Sequence, residues 1–196
     1  EKMLHGFGAD ITVNGKEIRC SGKNELKNPY NDAIFIPSDI SSAAFFIVLG
    51  CIIKGAHFMI KGIGLNETRA TIIDVLKMMG ADITIHNIKG QDVEPYGDIE
   101  VRYSQLHNIH IPEETIPFLI DEIPILAIAS MFAKGTFKVT NAKELRVKES
   151  DRIETTGALL QAMGGKFRAY DDGFECEAPD EFTPFEARSF GDHRIA

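Results

Sequence analysis

Apolar and polar positions change rhythm along this chain, and the changes mark its elements. Ala33 to Ile36 reads as a short strand ended by Pro37, and Ser38-Asp39 as an N-cap for an apolar helix from Ser41 to Ile53. Lys54-Gly55 stops that helix, and His57 to Lys61 alternates as a strand does. From Glu67 to Met79 the period lengthens, placing Ile72, Ile73, Leu76 and Met79 on one helical face. Gly80 ends it; Ala81 to Ile85 predicts a strand whose hairpin partner is Asp98 to Tyr103. The unit is β-α-β-α-β-β.

The same order returns. Asn108 to Ile111 predicts a strand, and Asp121 opens an apolar helix with Pro124 in its first turn. Lys134-Gly135 closes it, Thr136 to Thr140 is a strand, and Lys148 to Met163 is a helix stopped by Gly164-Gly165. Lys166 to Tyr170 and Phe174 to Glu177 make a hairpin around Asp171-Asp172-Gly173. Asp39 and Asp121 lie 82 positions apart, Gly55 and Gly135 80, Arg69 and Arg152 83, Gly80 and Gly164 84. Agreement of four landmarks marks a duplication. A third copy is expected to start with a strand at Phe185 to Phe190 and a helix at Gly191-Asp192-His193-Arg194. Ahead of the first copy, Ile11 to Cys20 predicts a hairpin turning at Asn14-Gly15, and Lys23 to Asp32 a linker. Residues 1–32 are therefore expected to be the tail of another domain plus linker. Residues 33–196 are expected to be one domain of the α/β (α+β) class whose third unit is truncated.

Composition narrows the choices. The 196 residues are 44% hydrophobic and 26% charged, which excludes collagen, coiled coil and wholesale disorder. The net charge of −8 argues against a dedicated nucleic-acid binder but not against a local basic pocket. Three cysteines without short spacing make neither a disulfide framework nor a zinc pattern, so a reducing, cytoplasmic setting is expected. The longest apolar run, Ala43 to Ile53, is about half a membrane span, and no signal-peptide pattern opens the chain. The first residue is Glu, which fits a piece of a longer polypeptide.

Two copies separate scaffold from chemistry. The second adds Arg146 and Lys148 before Arg152, on what the pattern makes a helix start. Like charges one turn apart and a cation at a helix N-terminus both cost stability unless an anion binds there. The other reading is that Glu149 and Asp151 neutralise the cluster on a solvated helix. Asp39, Asp121 and Asp192 each suit an N-cap, but Asp121 adjoins Glu122, and a crowded carboxylate with a raised pKa can act as a base. Gly62-Ile63-Gly64 lacks the third glycine of a dinucleotide loop, and His107 and His110 lack a third metal ligand nearby. Cys51 and most of the phenylalanines fall at core positions.

Four segments carry a resemblance: Ser38 to Phe46, Asp121-Glu122-Ile123-Pro124, Glu144 to Ile153 with its Lys-Glu-Ser-Asp-Arg run, and Gly191 to Ala196 with Asp-His-Arg. In order and spacing they resemble the 5-enolpyruvylshikimate-3-phosphate synthases, over the whole of this chain and about half of that family's length. The resemblance implies an inverse α/β barrel built from β-α-β-α-β-β units. It implies enolpyruvyl transfer from phosphoenolpyruvate to the 5-hydroxyl of shikimate 3-phosphate, with no metal or cofactor and no nucleic-acid or membrane partner, in an enzyme that is a monomer when intact. Asp121 would accept the hydroxyl proton and Glu149 would exchange a proton with the methylene carbon. Lys148 would contact shikimate 3-phosphate, and Arg152 and Arg194 would bind phosphoenolpyruvate. Further contacts of the family lie in segments outside this chain, so half a site, weak binding and negligible turnover are expected. A UDP-N-acetylglucosamine enolpyruvyl transferase, an RNA-end-processing protein on a similar scaffold, and a non-catalytic relative are the alternatives.

Overall fold

A computed structural model describes residues 2–28, 35–90 and 94–196. A short helix α1 (Lys2–Gly6) leads to a hairpin of β1 (Ile11–Asn14) and β2 (Glu17–Cys20), turning at Gly15 with φ +59° as expected.

The first unit comprises α2 (Ile40–Ile52), β3 (His57–Gly64), α3 (Thr71–Met78), β4 (Asp82–Lys89) and β5 (Tyr96–Arg102). The second comprises α4 (Ile123–Ser130), β6 (Thr136–Val139), α5 (Arg152–Ala162), β7 (Lys166–Tyr170) and β8 (Gly173–Glu177). Each folds its last strand between the other two, in the orders β3-β5-β4 and β6-β8-β7, with antiparallel neighbours. Alternation puts Ile99 and Val101 of β5, and Phe174 and Cys176 of β8, into the core. The helices cover these faces, and one continuous apolar cluster runs through both units, from Ile40 to Cys176. Gly55, Gly80, Gly135 and Gly164 all have φ between +83° and +96°. They turn the chain out of its helices in the left-handed conformation that glycine adopts without penalty, which is why these landmarks repeat.

The expected elements shift where side chains intervene. The second helix of unit one begins at Thr71 rather than Glu67, because the Asn66 side chain accepts from the backbone and hydroxyl of Thr68 and holds a turn there. Asn108 to Ile111 is no sheet strand; it touches Lys134 and Lys138 through two isolated parallel bridges at His107 and His110. The helix expected from Lys148 starts at Arg152, preceded by a 3-10 turn at Lys143–Val147 and an extended Lys148. Asp151 takes the cap, accepting from the backbone of Ile153 and Glu154. Phe185 to Phe190 pairs with none of the described strands, and residues 190–195 form turns rather than a helix. Of the expected strand at 33–36, Ala33 and Ile34 lie outside the described residues, and Phe35-Ile36 belongs to none of the described strands. Cys51 is fully buried, and burial pushes its thiol up to about 12. Among the described residues no helix is long and apolar enough to cross a membrane.

Candidate active site

The helix starts of both units and the segment Gly191 to Arg194 converge on one place, and Arg152 is its centre. Its side chain is 1% exposed, the largest residue to be so fully enclosed. Nε donates to Asp192 Oδ2 at 2.9 Å, Nη1 to Asp121 Oδ1 at 2.9 Å, and Nη2 to Glu149 Oε2 at 2.6 Å. Three carboxylates from three chain segments thus surround one planar fork, the geometry for which guanidinium is suited.

Asp192 is the inner carboxylate, with no exposed side chain. Besides Arg152 it accepts from the Ser150 hydroxyl at 2.9 Å and the Arg194 backbone N–H at 2.9 Å. Burial by itself would raise its pKa, but Arg152 and these two further donors hold it well below the usual value, at about 2. Asp121 is more open, at 29%. Lys148 Nζ lies 3.9 Å from the same oxygen, Oδ1, that Arg152 meets, and is held by Glu144 at 2.6 Å. Asp121 Oδ2 takes no hydrogen bond among the described residues.

The structure therefore brings Asp121, Lys148, Glu149, Arg152 and Arg194 into one neighbourhood, and it corrects the account of why they are there. Asp121 does not cap α4: the helix begins at Ile123 and the carboxylate turns to Arg152 instead. Lys148 does not sit in a helix, so neither a macrodipole conflict nor a one-turn repulsion arises. Glu149 pairs with Arg152 and Asp151 with Arg146 at 2.8 Å, so both neutralise the cluster as its second reading held, but Arg152 is enclosed rather than on a solvated helix. Asp39 is an N-cap, accepting from Ser42 N at 2.9 Å.

Three participants were not legible as such. By its sequence pattern Asp192 is a junction residue and no more. Ser41 and Arg69 carry no sequence signal of a site, although Arg69 matches Arg152 across the repeat. Ser41 Oγ donates to Glu122 Oε1 at 2.5 Å and accepts from Arg69 Nη2 at 2.8 Å. Glu122 is 3% exposed and lies 3.8 Å from Arg194 Nη1. Burial pushes the Glu122 carboxyl up, while Ser41, Arg194 and Arg69 pull against that and Asp121 adds to it. His107 and His110 stand apart, with His110 paired to Thr140.

Comparison with known proteins finds relatives in sequence and in fold. The family model for EPSP synthase (3-phosphoshikimate 1-carboxyvinyltransferase) matches residues 1–196. Relatives with that enzyme name include one from Geobacillus thermodenitrificans, 44% identical over 197 residues, and one from Alkaliphilus metalliredigens, 45% identical over 196. All of this chain is covered in both, but only 45% of each relative, so the chain spans about half their length. The structure of EPSP synthase from Acinetobacter baumannii superposes with a TM-score of 0.92 at 40% identity, covering 99% of this chain and 45% of that one. The enolpyruvyl transferase NikO from Streptomyces tendae, at 18% identity and a TM-score of 0.61 over 90% of this chain and 38% of its own, shares the fold. With the family model matched end to end and a duplicated α-β-α-β-β architecture in place, the chain belongs to the EPSP synthase family.

Proposed function

We propose that this chain carries part of the active site for enolpyruvyl transfer from phosphoenolpyruvate to the 5-hydroxyl of shikimate 3-phosphate. One observation carries the reading: Lys148 and Arg152 meet beside Asp121 and Glu149, with Arg194 tied to the same Asp192 that Arg152 meets, in a member of this family. Both substrates are polyanions, and fixed cations in a partly enclosed site stabilise charge that develops on a departing phosphate. Asp121 takes the proton as the hydroxyl oxygen bonds to C2 of phosphoenolpyruvate, and Glu149 supplies a proton to C3. In the second step Glu149 recovers that proton, the bond from C2 to the phosphate oxygen breaks, and phosphate leaves carrying the proton that Asp121 had taken. Lys148 holds the phosphate of shikimate 3-phosphate, and Arg152 and Arg194 hold phosphoenolpyruvate. Lys148 and Arg152 are carboxylate-paired here, so substrate binding exchanges these partners for ligand oxygens.

Residues 1–32 belong on this reading to the tail of a second domain and its linker, and residues 33–196 to the domain that holds these side chains. The enzyme works as a cytoplasmic monomer, a placement supported by free cysteines at 20, 51 and 176. By itself the chain binds substrates weakly and turns over negligibly. Calorimetric titration with phosphoenolpyruvate tests the site: Arg152→Ala is expected to weaken binding at least about tenfold, the loss of a charge-assisted pair. Equal affinity in the folded variant would overturn the assignment.

A further inference from the structure

Glu122 is a carboxylate where the scaffold has no need of one. Its counterpart in the first unit, 82 positions earlier, is Ile40, an apolar side chain buried to 3%. Ser41 has Ile123 as its counterpart, fully buried. Each of the two positions therefore holds isoleucine in one copy and a polar residue in the other, and the two polar residues, Ser41 and Glu122, hydrogen-bond across the copies. Burying a carboxylate is costly unless other groups compensate. Here the compensating groups form a line: Arg69 donates to Ser41 at 2.8 Å, Ser41 donates to Glu122 at 2.5 Å, and Arg194 Nη1 stands 3.8 Å beyond the same oxygen. Arg194 is 14% exposed, and its Nε is buried without a hydrogen-bond partner. Its backbone N–H is already tied to Asp192. What remains undetermined by that tie is the direction of the guanidinium, and Glu122 is the carboxylate that faces it.

We propose that Glu122 is the positioning residue for Arg194, anchored through Ser41 and Arg69 of the first unit so that the guanidinium is aimed before an anion arrives. The inference rests on the reading of Arg194 as a phosphoenolpyruvate ligand and adds the group that orients it. Glu122 touches no substrate. It acts by keeping a long, rotamer-rich side chain in one direction, which lowers the ordering cost of binding. The first unit thereby contributes to a site whose cations come from elsewhere.

The test uses this chain labelled with 15N at arginine. Three quantities are read: thermal midpoint, rotation of the Arg194 guanidinium about its Nε–Cζ bond, and the phosphoenolpyruvate concentration that half-shifts the Arg194 signal. Glu122→Gln keeps shape and removes the buried charge, so the midpoint is expected to hold or rise. Rotation of Arg194 is expected to quicken, and half-shift to need about tenfold more phosphoenolpyruvate, the scale of one lost charged contact. Ser41→Ala, which leaves the carboxylate but cuts its anchor, is expected to move both readouts in the same direction by less. Unchanged Arg194 rotation in the folded Glu122→Gln chain would overturn the proposal. Loss of the fold in both variants would also overturn it, since the pair would then be a structural element. If rotation quickens but phosphoenolpyruvate shifts no Arg194 signal even in the unaltered chain, positioning stands and the phosphoenolpyruvate reading fails.

Discussion

The two units place an aspartate before the first helix and an arginine at the start of the second, and they treat the pair differently. In unit one Asp39 and Arg69 stand 3.9 Å apart, with side chains 53% and 48% exposed. In unit two Asp121 and Arg152 meet at 2.9 Å with Arg152 1% exposed. One duplicated contact is a solvent-screened surface pair in the first copy and the centre of a closed cluster in the second. The difference is made by what arrives from outside the repeat. Asp192 and Glu149 close over Arg152, whereas Arg69 keeps solvent on one side and spends a donor on Ser41. Duplication supplies the scaffold for a site, and burial by a third segment converts it into one.

The comparison breaks most visibly at the two arginines. Arg152→Ala strips the partner from a fully buried Asp192, and loss of one member of such a pair costs about 3–5 kcal/mol. Arg69→Ala removes an exposed pair and is expected to cost about 1 kcal/mol or less. Urea unfolding midpoints of the two variants measure the gap, and equal losses would refute the distinction.

The next effect is a pH dependence. Asp192 titrates at about 2 instead of 3.8, so its ionised form is favoured by folding. Its contribution, on the order of 2 kcal/mol, is present above pH 4 and lost as pH falls from about 4 to 2. Stability of the unaltered chain minus that of Asp192→Asn, followed by denaturant titration across this range, should shrink toward acid. A difference that grew below pH 4 would contradict the assignment.

The smallest effect concerns what the units share. Asp39 caps α2 and Asp151 caps α5 through backbone N–H groups, and alanine at either is expected to cost about 1 kcal/mol. Circular dichroism melting of both variants checks it. Similar losses mark both caps as scaffold. A much larger loss at Asp151 would trace to its second bond, from Arg146.

Much of this was legible beforehand. Helix stops at Gly55, Gly80, Gly135 and Gly164 could be read because a left-handed exit is a local demand, met by the residue itself. The strands of both sheets were legible from alternation for the same reason. The start of α5 was misplaced because Lys148 to Ser150 has nothing in its own pattern to forbid a helix; Asp151 competes for the cap and wins. The strand expected at 185–190 has an adequate pattern, but a strand exists only through its pairing, and none of the described strands pairs with it. At the site, Lys148 and Arg152 were visible as an excess of charge over the first copy. Asp192, Ser41 and Arg69 were not, because one oxygen among many becomes a site group only when distant segments bring it to a cation.

The amino-acid order by itself determined the duplicated order of helices and of the three sheet strands in each unit, its glycine-terminated helices and the residue types available for anion chemistry. These follow from local conformational preference and from the periodicity of apolar positions. Only the tertiary structure decided which charges meet: that Asp121 faces Arg152 instead of capping its helix, that Asp192 is sealed against Arg152, and that Ser41 reaches Glu122 across 81 positions. Those pairings depend on distance and on exclusion of water, and neither is a property of any stretch of sequence taken alone.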